Sequence, residues 1–234
     1  MSKLLGKGEC FVCPMRELSI FAEMPTSRLE NLGFHPTVIG YPEGAVLYRE
    51  GEIASAAFTL RSGLIKITKS LPNGRSQIIR VLHPGDLLGL DCFAGSDYHH
   101  NAIALIESEV CRLPIKELDA LRQNDPSIDR AIMLRWSKVL RATENLTVEL
   151  GTKKASERLA NFLLDWCQAP DADGWSDLPL SRLEIGELLG LTIETVSRFL
   201  SEWRKTALIG EHNHRIRILD EKALHEVACA GGAC

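Results

Sequence analysis

The chain has 234 residues, 45% of them hydrophobic and 25% charged, with a formal net charge of −4. That length buries one large core or two modest ones, and the small negative charge excludes a chain that coats nucleic acid non-specifically, while allowing a local basic face. No apolar run approaches the ~18 residues of a membrane span, the start MSKLLGKGEC lacks the apolar core of a signal peptide, and seven cysteines without framework spacing in a cytoplasmic chain favour metal or redox chemistry over disulfides.

The first distinctive stretch is GECFVCPMRELSIF, Gly8 to Phe21, which sets Cys10 and Cys13 three residues apart. Alone, a C-x2-C pair is a weak metal signal. From about residue 34 to 113 the chain reads as short strands: AVLYREGE, AAFTLRSGLIKITKS, SQIIRVLHPGD and NAIALIESEVCRLP carry near-alternating apolar residues, and glycines recur between them. Pro72–Arg75 (PNGR) predicts a hairpin turn, because Asn-Gly accepts positive φ. Many short strands with regular turns predict a β-sandwich or barrel.

A helical pattern without Pro or Gly then runs from Ser127 to Gly151, with Pro126 suited to its first turn and Gly151 to its end. Ile132, Trp136, Val139, Thr143, Leu146 and Leu150 recur at spacings of four and three, an uncharged coiled-coil seam that predicts a homodimer. The amphipathic stretch KKASERLANFLLDWCQ and a polar loop follow. Then SRLEIGELLGLTIETVSRFLSEWRK predicts two helices joined by a tight turn: Ser181 with Glu184 forms a capping box, Gly190 closes the first helix, and Thr192 caps the second. Val196, Phe199, Leu200 and Trp203 face inward, and Glu194, Thr195, Ser197 and Arg198 face outward. This is a helix-turn-helix for double-stranded DNA. Arg198 has the fork to bond guanine, Glu194 accepts from cytosine or orients the arginine, and Ser197 meets a base edge or a thymine methyl. Arg204, Lys205, Arg215 and Arg217 read equally as phosphate contacts or solvated charges. The organisation expected is residues 1–125, 126–151 and 152–234.

This order of parts, with SGLIKI, HPGDLLGLDCFAG, KKASERLANFL and IGELLGLTIETVSR, resembles the CRP/FNR superfamily of bacterial transcription regulators from about residue 10 to 228, and most closely its oxygen-responsive FNR branch. The resemblance implies an α+β fold: an N-terminal double-stranded β-helix (a jelly roll of cyclic-nucleotide-binding type) as sensory domain, a long dimerisation helix and a C-terminal winged helix-turn-helix. It implies a homodimer on TTGAT-like palindromes read by Glu194, Ser197 and Arg198, with Thr192 and Thr195 completing the DNA-binding set and RNA polymerase as partner. The cyclic-AMP branch carries an arginine after its PGD turn, where LLGLDCFAGSDYHHNAIAL has none, so a cyclic phosphate lacks its cationic partner. An enzyme is not expected, since G-x-S-x-G, H-E-x-x-H and P-loop motifs are absent.

FNR proteins hold a [4Fe–4S] cluster on a C-x2-C-x5-C run and a later cysteine. Cys10, Cys13 and Cys111 match three of these ligands, and Ser19 stands at the remaining one. The fourth ligand is open among Ser19, Glu9, Glu17, Asp91 and Cys92. The alternatives to a cluster are a zinc site, a thiol switch, an inert site, and a clusterless regulator using haem, with His35, His83, His99 or His100 as its ligand, or a small effector in the β-roll.

Overall fold

The computed structural model describes residues 2–13, 15–30, 35–70 and 74–230; residues 71–73, and with them the turn predicted at Pro72–Arg75, lie outside the described residues. The chain divides into two compact units, Met1–Arg141 and Ala142–Cys234.

The N-terminal unit contains strands β1 (Lys3–Lys7), β2 (Thr37–Tyr41), β3 (Val46–Tyr48), β4 (Ala56–Ser62), β5 (Ile65–Ser70), β6 (Ser76–Leu82), β7 (Leu87–Leu88), β8 (Asn101–Ala104) and β9 (Ser108–Pro114). Helix α1 (Thr26–Glu30) lies between β1 and β2, and α2 (Ile115–Asn124) follows β9. The strands form two antiparallel sheets, ordered β1-β2-β9-β4-β7 and β3-β8-β5-β6, as expected for a jelly roll. Alternation places Ile65 and Ile67 of β5 inward, where they join Leu60, Leu82, Leu88, Val110 and Leu113 in one core. Leu118 of α2 and Ile128 of the next helix seal that core from outside the sheets. Each such side chain contributes about 1.5–3 kcal/mol by leaving water.

Strand β1 is not foreseen by the sequence pattern. All five of its residues are exposed, so it has no alternation to read, and its pairing with β2 (Leu4 with Ile39, Lys7 with Thr37) is what makes it a strand. Just after it, the Gly8 N–H donates to Pro36 O at 2.6 Å. These bonds hold the start of the cysteine segment against the sheet.

Helix α3 (Pro126–Thr152) is the long predicted helix. Asp125 accepts the Ser127 N–H at 3.0 Å at its start and pairs with Arg28 at 2.6 Å. Both contacts, Ser127 foremost, hold the Asp125 carboxyl below the usual range. The helix ends at Thr152, one residue past the expected end at Gly151, and this glycine keeps an ordinary φ rather than a left-handed one.

The C-terminal unit contains α4 (Ala155–Trp166), β10 (Ser176–Asp177), α5 (Arg182–Leu189), α6 (Ile193–Lys205), β11 (Ile209–His212), β12 (Arg215–Ile218) and α7 (Glu221–Ala228). Its strands are ordered β10-β12-β11. Asn213 and His214 make the β11–β12 turn with φ of 45° and 57°, the primed hairpin geometry. Gly186 sits where α5 meets the turn, and a Cβ there would lie 2.7 Å from Leu191 O. Because that neighbour is backbone, Gly186→Ala is expected to destabilise this unit by about 1–3 kcal/mol. Calorimetry of its melting transition checks this, and an unshifted transition contradicts it.

Candidate nucleic-acid interface and thiol site

Helix α6 is positioned by local chemistry. Ser181 and Glu184 cap α5 reciprocally, with Glu184 N donating to Ser181 Oγ at 3.2 Å and Ser181 N donating to Glu184 Oε2 at 2.8 Å. Gly190 ends α5 in the left-handed region at φ 62°. Thr192 Oγ1 then accepts the Thr195 N–H at 3.3 Å and starts α6. Val196, Leu200 and Trp203 are buried and fix the rotation of α6, which leaves Thr192, Ile193, Glu194 and Arg198 exposed and Thr195 and Ser197 half-buried along its first two turns. The Arg198 guanidinium lies 5.1 Å over the Phe199 ring, and the side chain is exposed. Backbone amide hydrogen bonding at the helix start, then Thr192, holds the Glu194 carboxyl below its ordinary value, so it is an anion that accepts hydrogen bonds. This face can bond base edges.

Two charges behave otherwise than as free phosphate contacts. Arg215 is engaged by Asp171 and by Asp177, the latter at 3.0 Å, and Arg217 stacks on Trp175 at 5.1 Å. Both brace the β10-β12-β11 sheet.

In the N-terminal unit, Cys10, Cys13 and Cys111 are free thiols that line one pocket together with Arg16, Ser19, Thr59 and Arg61. Cys10 opens a 3-10 turn and Cys13 closes it, its N–H donating to Cys10 O at 3.5 Å. Cys111 lies on β9 between Val38 of β2 and Thr59 of β4, so the sheet register brings it to the cysteine turn. The cavity volume is about 20 Å³, room for roughly one water, and among the described residues no group of three or more Cys, His, Asp or Glu is already drawn together to hold a metal ion. Burial, reinforced by Cys111 and Cys13, pushes the Cys10 thiol up to about 12; burial likewise pushes Cys111 up to about 11 against the opposing pull of Arg61. These thiols are therefore protonated at neutral pH.

The other ligand candidates are placed apart. Ser19 shares the pocket, but its Oγ donates to Arg16 O at 2.8 Å and accepts the Phe21 N–H at 3.1 Å. Cys92 is buried in the core and does not line the pocket, and Asp91 faces His99 at 3.8 Å. Glu9 and Glu17 are exposed. His100, one of the haem-ligand candidates, is half-buried with Nε2 2.9 Å from the Tyr48 hydroxyl, and burial lowers its pKa.

One chemical consequence is measurable. A thiol near 11 is about a hundredfold less ionised at pH 8 than an ordinary one near 9.0. Iodoacetamide is expected to alkylate Cys111 of the metal-free protein about a hundredfold more slowly than a free cysteine at pH 8, with the rate rising about tenfold per pH unit towards pH 11. Mass spectrometry of the peptide reads this, and a rate equal to free cysteine at pH 8 contradicts a protonated pocket.

Along α3, Ile128, Ala131 and Ile132 are buried in the β-unit core. Ile132, at 6% exposure, thus departs from the expected seam, because its apolar surface is already covered within the protomer. Of the remaining seam residues, Trp136 is 46% exposed, Thr143 is exposed, and Val139, Leu146 and Leu150 are half-buried. Met133, Leu134, Leu140 and Val148 add to the exposed apolar surface. No helix among the described residues is long and apolar enough to cross a membrane.

Comparison with known proteins matches both units. The cyclic nucleotide-binding domain family matches residues 38–125, and the Crp-like helix-turn-helix domain family matches residues 157–227. The chain is 34% identical to the transcriptional activator protein anr of Pseudomonas aeruginosa, over 98% of this chain and 96% of that one. It is 30% identical to the fumarate and nitrate reduction regulatory protein of Escherichia coli, over 80% of this chain and 76% of that one. Among solved structures, FixK2 from Bradyrhizobium japonicum superposes with a TM-score of 0.76 at 32% identity, covering 82% of this chain and 96% of that one.

Proposed function

Since the chain belongs to the CRP/FNR family of DNA-binding transcription regulators, close to its FNR branch, we propose that it is an oxygen- or redox-responsive member whose sensor is an iron–sulfur cluster held by Cys10, Cys13 and Cys111. The observation that carries this reading is the convergence of three free thiols, from a 3-10 turn and a distant strand, on one pocket. Thiolates are the donors such clusters take, and when bound the cluster supplies a redox centre sensitive to its ligands and surroundings. Three positions fit that chemistry. Of the other candidates, Ser19 holds its hydroxyl on the backbone and Cys92 lies in the core.

The chain's own residues supply the response. The protomer pairs with a second copy along the exposed apolar face of α3, through Trp136, Val139, Thr143, Leu146 and Leu150. The pair presents two α6 helices to a palindrome of TTGAT-like half-sites, about 34 Å apart for one DNA turn, and RNA polymerase is recruited there. Glu194, Ser197 and Arg198 read the bases, while Thr192 and Thr195 set the helix start. The thiol site biases the populations of DNA-competent and incompetent states.

The test is the absorption spectrum of protein purified without oxygen, with iron and sulfide assayed on the same sample. A broad band near ~400 nm, about four irons per chain and bleaching in air support the reading. A colourless, iron-free protein that still binds the palindrome sinks the cluster and leaves a thiol switch.

A further inference from the structure

Beyond the shared core, one side chain fastens the cysteine segment to the long helix by hydrogen bonds. Arg135 of α3 donates to Leu18 O at 2.5 Å and to Ser19 O at 2.8 Å, across 117 and 116 positions of sequence. These carbonyls belong to the residues that end the second 3-10 turn after Cys13. The same two residues are held on their other sides. Ser19 Oγ bonds Arg16 O and the Phe21 N–H, and the Leu18 side chain lies over the Gly85 turn so closely that a Cβ on Gly85 would stand 2.7 Å from Leu18 Cβ. Neighbouring positions of the helix, Met133, Leu134 and Trp136, are exposed and apolar. One guanidinium thus ties a segment that lines the thiol pocket to a helix that carries an uncovered apolar face. Two hydrogen bonds from a charged donor are stronger than neutral ones and direct the segment as well as attract it.

We propose that Arg135 is the positioning residue that transmits the state of the Cys10–Cys13–Cys111 site to the apolar face of the long helix. When the thiols are occupied or modified, the turn around Leu18 and Ser19 shifts, the two carbonyls move relative to Arg135, and the helix face responds. The coupling runs both ways, as linkage requires. The location of the site rests on the proposed function, but no iron is needed for the coupling.

The test uses full-length, reduced, metal-free protein as wild type, Arg135→Met and Arg135→Lys. The first readout is the rate at which N-ethylmaleimide labels Cys10 and Cys13 at pH 9, by peptide mass spectrometry. Arg135→Met is expected to raise both rates about tenfold by releasing the turn, with Cys167 labelling and the melting temperature unchanged. Arg135→Lys, which keeps the charge and one donor, is expected to return the rates to within about threefold of wild type. The second readout is sedimentation equilibrium before and after labelling. Labelling is expected to weaken wild-type self-association about tenfold and to leave that of Arg135→Met unchanged. Equal labelling rates in wild type and Arg135→Met overturn the proposal, as does equal weakening of self-association in both. A wild type that is colourless under anaerobic purification, yet gives the expected rates, removes the iron–sulfur reading and keeps the Arg135 coupling.

Discussion

Arg198→Ala is expected to weaken specific DNA binding by about thirtyfold or more while leaving the fold intact. The side chain is exposed, and its recorded neighbour is the Phe199 ring, so its loss removes almost no packing. On the proposed reading its fork bonds O6 and N7 of guanine, an interaction that discriminates by about 1–3 kcal/mol. A two-fold palindrome counts it twice, so the affinity falls by about 2–6 kcal/mol, roughly thirtyfold to twenty-thousandfold. A fluorescence anisotropy titration at one fixed salt concentration reads this, with scrambled DNA as control. Binding to the scrambled duplex changes far less, because phosphate contacts carry it. If the variant binds the palindrome within threefold of wild type, α6 does not read bases through Arg198. Glu194→Gln is the companion: it removes the anion but keeps an acceptor, and its expected effect is relaxed preference at one base step.

Cys111→Ala is expected to remove iron and sulfide from the anaerobically purified protein, from about four of each per chain to background. Cys111 is the thiol that the sheet contributes to the pocket, between Val38 and Thr59, and on the proposed reading it is the ligand that the cysteine turn does not duplicate. The expected companion result is that DNA affinity becomes the same with and without oxygen. Removal of one sulfur from a half-buried strand position is tolerated by the fold, so the melting temperature separates loss of the site from loss of the protein. Ser19→Cys works in the opposite direction. It offers a thiolate where a hydroxyl stands and is expected to slow bleaching in air. Full iron content in Cys111→Ala would place the cluster elsewhere or remove it from the account.

The parts of the molecule built by short-range chemistry were legible. Ser181, Glu184, Gly190 and Thr192 act within three residues of themselves, so caps and turn follow from the order of residues, and the rotation of α6 follows from Val196, Leu200 and Trp203. Long-range placement was harder to read. Cys10 and Cys111 are neighbours because β2 joins β9 in one register, and a residue's partner across a sheet leaves no periodic mark. Strand β1 was missed because KLLGK is exposed on both faces. Ile132 fits a heptad as well as any seam residue, but its burial is decided by the β-unit core beneath it. Gly151 marks the helix end to within one residue but does not act as a left-handed cap, for it keeps an ordinary φ and Glu149 O accepts the Lys153 N–H at 3.1 Å. Arg135 gave no signal, since its partners are main-chain carbonyls.

Strand β1 sets the entropy of the thiol loop. With β1 and Gly8 bonded to β2 and Pro36 on one side, and Ile20, Phe21 and Met24 buried on the other, Cys10 and Cys13 lie in a loop of about ten residues with both ends fixed rather than on a free tail. Closing a short anchored loop costs less chain entropy than ordering a tail, and the cost scarcely changes with the length of any chain before β1. On the proposed reading, metal uptake by this segment would need only a small local opening of the two 3-10 turns rather than the ordering of a free tail.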